Sequence, residues 1–118
     1  MTPLFKALLT DRPVAYYPML AKALQSVTAG LFLSQLLYWS DKGADAAGWV
    51  WKTQEDWENE TGLTRYEQEG ARKRLRSLGV IKEERRGLPA RQYFQVDCDV
   101  LEKLLGEKPQ SIYAVQKQ

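Results

Sequence analysis

The stretch Thr53–Ile81, TQEDWENETGLTRYEQEGARKRLRSLGVI, constrains the fold more than any other part of the chain. Gly62-Leu63 separates two short helical patterns and leaves room only for a tight turn. Glycine at that point supplies the positive φ that such a turn requires. Thr53 can cap the leading helix, whose Glu55 and Asp56 suit its positive end. Thr64 with Glu67 three positions later is a capping box that starts the following helix, which ends at Gly79. Trp57 is the main apolar anchor of the leading helix and Leu63 can pack between the two. Leu75, Leu78 and Ile81 close the inner side of the second.

The flanking segments supply the rest of a domain over residues 13–106, with an arm at 1–12 and a polar tail at 107–118. Pro13–Tyr17 reads as extended, because a residue before proline avoids helical backbone, and Pro18 suits the first turn of a helix through Gln25. Ser26 or Thr28 can cap a further helix to about Ser40. On it Val27, Leu31, Ser34 and Tyr38 fall on one line and Phe32, Leu36 and Trp39 on the next, so it is expected to be the central core helix. Asp41–Gly48 is loop, and Trp49-Val50-Trp51 is a short strand. Val80–Arg86 and Arg91–Val96 form a hairpin around Gly87-Leu88-Pro89-Ala90. Asp97 can cap a last helix carrying Val100, Leu101, Leu104 and Leu105, stopped by Gly106 and Pro109. The expectation is a mainly α domain with a small antiparallel sheet, in the element order of a winged helix-turn-helix.

If such a domain binds DNA, the outward face of its second motif helix is the expected contact. At 100° per residue Gln68, Ala71, Leu75 and Leu78 share the inner stripe, and Arg65, Tyr66, Glu69, Lys73 and Arg76 lie opposite, with Arg72 at the margin. A helix in the major groove needs long hydrogen-bonding side chains near its start, so Arg65, Tyr66 and Glu69 are the base-reading candidates. Arg72, Lys73 and Arg76 are placed for phosphates, and Arg85, Arg86 and Arg91 flank the hairpin tip as a wing would require. A plain solvated helix would look similar, with Arg65, Glu69 and Lys73 pairing at four-residue spacing for ~0.3–0.5 kcal/mol each. A protein-interaction module without DNA binding, supported by the acidic run Glu55–Glu60, and a transcriptional repressor of the same fold are the alternatives. Trp49, Trp51 and Trp57 are expected in the core rather than as a stacking platform, and Cys98 as a small core residue. Gly70 allows close approach either to DNA or to a neighbouring helix.

Composition excludes other chemistry. The 118 residues contain no histidine and a single cysteine, so histidine-based catalysis, cysteine zinc sites and an internal disulfide are ruled out. No carboxylate pair, phosphate-cradling glycine loop or metal spacing is present, so catalytic residues, cofactors, metals and small-molecule substrates are not expected. The most apolar stretch, Ala29–Trp39, is too short to span a bilayer, the first ten residues lack the features of a signal peptide, and the lone thiol suits a reducing cytoplasm. The net charge of +2 conceals a strong asymmetry: residues 1–48 carry +1, 49–71 carry −4, 72–91 carry +6 and 92–118 carry −1. The basic block is the end of the second motif helix together with the hairpin, which points to a localised polyanion contact.

The segment GLTRYEQEGARKRLRSLGVI resembles the recognition-helix region of winged helix-turn-helix proteins. With LAKALQSVTAGLFLSQLLYWSD, GWVWKTQEDW, GLPARQYF and VDCDVLEKLL, the chain is similar over residues 18–105 to DNA-binding domains of phage and mobile-element replication proteins, replisome organisers and initiators. The resemblance implies binding of double-stranded DNA at an origin or operator, often as a homodimer or higher oligomer, with replication proteins as partners. It implies the cytoplasm of a bacterial or phage-infected cell, and either a small stand-alone binder or a domain of a longer protein. Glu58, Gln68 and Arg72 depart from the family pattern, which has a small residue at the first position and apolar residues at the other two.

Overall fold

The computed structural model describes residues 2–42 and 45–106, and the tail at 107–118 lies outside them. Six helices and three strands follow one another as α1 (Pro3–Thr10), α2 (Pro18–Leu24), α3 (Val27–Lys42), β1 (Val50–Trp51), α4 (Gln54–Thr61), α5 (Arg65–Ser77), β2 (Ile81–Arg86), β3 (Arg91–Val96) and α6 (Cys98–Gly106). The result is a mainly helical unit with one three-stranded antiparallel sheet in the order β1-β3-β2.

Helix α3 is the hub, touching α2, α4, α5, β1 and β3. Ser26 is its cap, with Oγ accepting from the Ala29 amide at 3.1 Å. Its first expected apolar line is not the buried one, since Val27 is exposed and Leu31 and Tyr38 are only partly covered. Contact on several sides broadens the buried face to Ala29, Phe32, Leu33 and Leu36. Gly30 sits where α2 crosses, and a β-carbon there would lie 2.8 Å from the Ala21 backbone, so the crossing depends on glycine.

Three rings join the helices to the sheet. Phe32 of α3 stacks on Trp57 of α4 at 3.9 Å between centroids, and Phe94 of β3 meets both edge-on at 5.8 and 5.6 Å. Beside them a polar cluster fixes the same junction. Glu60 Oε1 accepts from Gln35 Nε2 at 2.6 Å and Trp39 Nε1 at 2.7 Å, while Oε2 accepts from Lys52 Nζ at 2.6 Å.

The expected arm forms helix α1, because Thr2 accepts from the Phe5 amide and Pro3 opens the first turn. None of its residues is buried, and Leu4, Phe5, Leu8 and Leu9 face outward.

Candidate nucleic-acid interface

Helices α4 and α5 are set by local chemistry at both ends of the turn between them. Thr53 Oγ1 accepts from the Asp56 amide and Asp56 Oδ2 from the Thr53 amide, each at 3.0 Å. Thr64 and Glu67 repeat the exchange at 3.2 and 2.9 Å at the start of α5. Gly62 ends α4 with φ 78°, and Leu63 is buried between the helices. Gln68, 2% exposed, reaches from α5 into this junction, and its Nε2 donates to the Leu63 carbonyl at 3.0 Å and the Gln54 carbonyl at 3.1 Å. Gln68 of α5 thus clips the turn and α4 together.

Helix α5 has two unlike flanks. Gln68, Ala71 and Leu75 are buried, as the spacing predicts. On the opposite side Arg65, Tyr66, Glu69, Gly70 and Lys73 are exposed, Tyr66 to 85%. Arg65 and Glu69 form a loose pair at 3.5 Å, and Lys73 has no ionic partner among the described residues.

The remaining basic residues of the helix are turned toward the protein. Arg72, only 18% exposed, makes a two-pronged contact with Glu83 of β2 at 2.9 and 2.6 Å and lies over the Phe94 ring at 5.3 Å. Arg76 adds a third bond to Glu83 at 2.9 Å while keeping half its surface in solvent. Burial by itself would push the Glu83 carboxyl up; hydrogen bonds and charge from Arg72, then Arg76, outweigh it and hold the group below its ordinary value. Arg72 therefore does not present a free guanidinium at the margin of the outward face. The fold uses it to fasten α5 to the hairpin, because the inward side of β2 offers a carboxylate at its reach. Arg74, absent from the sequence-predicted contacts, donates to the Leu24 carbonyl at 2.9 Å and so closes the end of α2. Its position between two candidate cations gave no sign of this.

At the hairpin the three expected arginines divide. Arg85 and Arg91 are exposed and lack a carboxylate partner among the described residues; Arg85 only approaches the Gln92 amide oxygen at 3.5 Å. Arg86 is held, with Glu84 at 3.1 Å and Asp45 at 3.9 Å, and its guanidinium lies over the Trp49 and Tyr93 rings. Gly87 turns the chain with φ 88°, and Leu88 stands fully exposed at the tip.

Half of the six acidic side chains over residues 49–71 are occupied. Asp56 and Glu67 serve as caps and Glu60 is bound inside the α3–α4 junction, which leaves Glu55, Glu58 and the Arg65-paired Glu69 as exposed carboxylates.

Two core expectations are corrected. Trp57 is buried, but Trp51 is 44% exposed and Trp49 partly so. Side chains alternate along a strand, so once Val50 faces the core its two neighbours must face away. Cys98 is exposed at the first position of α6, where Leu101 takes the core place. Beyond the chain neighbours and the helix's own backbone, a methyl group added at Gly70 would meet no protein atom within 4 Å, so no neighbouring helix requires glycine there.

Among the described residues no group of three or more acidic or thiol side chains converges as a metal site would need, and no helix is long and apolar enough to cross a membrane. Compared with protein-family models, curated proteins and solved structures, the chain finds no match.

Proposed function

We propose that this chain is a winged helix-turn-helix domain that binds double-stranded DNA sequence-specifically. Helices α4 and α5 are the motif pair, α5 is the recognition helix over about 64–78, and the β2–β3 hairpin is the wing over about 80–96. The observation that carries the reading is the outward flank of α5. Arg65, Tyr66, Glu69 and Lys73 are exposed along one face of a capped helix. Beside it stands a hairpin whose Arg85 and Arg91 have no carboxylate partner among the described residues.

A major-groove helix presents long donors near its N-terminus to base edges, the position of Arg65 and Tyr66, while Glu69 can accept from a cytosine amino group. Lys73, Arg85 and Arg91 are the phosphate contacts, with Arg76 adding its half-exposed charge. The Glu83 clamp sets the angle between α5 and the hairpin, so both meet the duplex as one rigid surface. The resemblance to phage and mobile-element replication proteins favours initiation of replication as the process, with the domain working as a homodimer or oligomer beside other replication proteins.

A gel-shift salt series tests the reading. The double variant Lys73→Ala, Arg85→Ala should weaken binding to every duplex and flatten the slope of log affinity against log salt by ~0.9 per lost contact. Arg65→Ala should relax base preference in selection from a random duplex library. A chain that ignores duplex DNA at low salt, or a slope unchanged in the double variant, overturns the proposal.

A further inference from the structure

The outer face of the sheet carries a group of aromatic rings that duplex binding by α5 does not use. Register places Trp51 opposite Tyr93 and Arg86 opposite Arg91. Alternation along the strands puts Trp49, Trp51, Tyr93, Arg86 and Arg91 on the side away from Phe94 and the core. Each guanidinium is already laid against a ring: Arg91 lies 4.4 Å from the Trp51 centroid, and Arg86 lies 4.7 Å from Trp49 and 4.5 Å from Tyr93. Trp51 nevertheless stays 44% exposed.

Trp51 also stands between two hollows. One, of about 530 Å³, is lined by Trp39, Asp45, Trp49, Arg86 and Tyr93; the other, of about 360 Å³, by Thr53, Gln54, Trp57, Arg85 and Arg91. The buried Trp57 Nε1 in the second has no hydrogen-bond partner among the described residues. Arg86 is balanced by Glu84 at 3.1 Å and Asp45 at 3.9 Å, which leaves Arg91, opposite it in the register, as the cation of the pair with no carboxylate partner among the described residues. Beside its rings and cations the strands of this face carry Glu84 and Gln95 and no aliphatic side chain, so it lacks the dry apolar centre of a protein interface.

We infer that this sheet face binds single-stranded nucleic acid, with an unpaired base stacked on Trp51 and the backbone held by Arg91 and Arg86, joined by Arg85 across the second hollow. Base faces are open only in unpaired strands, so an exposed ring beside cations selects a single strand over a duplex. The two readings share Arg85 and Arg91 and part at Trp51 and Lys73, because none of the rings lies on α5.

The test titrates an oligothymidylate of about fifteen nucleotides into the full chain at low salt and follows tryptophan fluorescence. Binding with quenching is expected. Trp51→Ala should weaken it roughly tenfold, and Trp51→Phe, which keeps a stacking ring, should stay within about threefold of the parent. Lys73→Ala should leave this affinity unchanged while lowering duplex affinity, so failure of one reading is visible apart from failure of the other. An oligouridylate of equal length run in parallel identifies which strand, DNA or RNA, binds more tightly. The inference is overturned by no binding, by unchanged affinity in Trp51→Ala, or by polyglutamate competing as well as the oligonucleotide, which would show that charge alone suffices.

Discussion

The two flanks of α5 carry the same residue types and do opposite work. On the flank toward the hairpin and α2, Arg72, Arg74 and Arg76 are bound to Glu83 and to the Leu24 carbonyl. On the outward flank, Arg65 is only loosely paired and Lys73 has no ionic partner among the described residues. Basic residues alternate around one helix, and what separates fastening from availability is whether an acceptor stands within reach. A count of positive charge over residues 72–91 therefore overstates what is free to meet a polyanion.

The largest effect should come from breaking the fastened side. Glu83→Ala leaves Arg72, 18% exposed, facing a packed hairpin without its carboxylate. Removing one member of a buried pair costs about 3–5 kcal/mol, and partial solvent access lowers that to about 2–3 kcal/mol here. Urea unfolding measures it, with Lys73→Ala as the control expected to shift stability by less than ~0.5 kcal/mol. Equal losses in the two variants would erase the distinction between flanks.

The same clamp predicts a pH dependence. The folded-state value of Glu83 lies below the ordinary 4.5, so its contribution is complete above that range and is lost as the pH falls through the depressed folded value. Glu83→Gln should remove this part of the acid sensitivity, and urea midpoints compared between about pH 7 and about pH 3 would show parent and variant converging on acidification. A constant gap between the two would contradict the clamp.

Arg74→Ala comes next. It takes a charged donor from a carbonyl at the end of α2, and about 1–2 kcal/mol of stability should go with it. Duplex affinity of the folded fraction should stay at the parental level, because the side chain points back into the fold. A flatter salt slope in this variant would add Arg74 to the proposed phosphate contacts.

What the sequence made legible follows from how local each signal is. Thr64 with Glu67, Gly62 and Gly79 act within one turn, and each stands where the spacing put it. The strands at Ile81–Arg86 and Arg91–Val96 were readable because the turn residues between them leave little choice. The roles of Arg72, Arg74 and Trp51 were not, because each depends on a partner distant in sequence or on which strand face meets the core. Glu83 is eleven residues from Arg72 and Leu24 is fifty from Arg74, and no periodicity along α5 reports either. For Trp51 strand parity decides, since a buried Val50 settles the direction of both neighbours. The acidic block divides in the same way: Glu67 is legible as part of a capping box and Asp56 as a first-turn acid, but Glu60 meets Gln35 and Trp39 only through tertiary packing.

The smallest predicted effect tests the outward flank at Gly70. Glycine inside a helix costs about 0.5–1 kcal/mol relative to alanine. Here nothing beyond the chain neighbours and the helix's own backbone stands within 4 Å of an added methyl group, and the backbone is helical. Gly70→Ala should therefore raise the urea midpoint by that modest amount, the one substitution in the series expected to stabilise. Its value lies in the second measurement. Gly70 follows Tyr66 by one helical turn on the exposed side, between Glu69 and Lys73. If α5 enters the groove along this flank, the added methyl meets DNA, and duplex affinity falls while stability rises. A variant that gains stability and binds duplex as tightly as the parent would show that the groove-facing line runs nearer Arg65 and Glu69, narrowing the contact to the first turns of the helix.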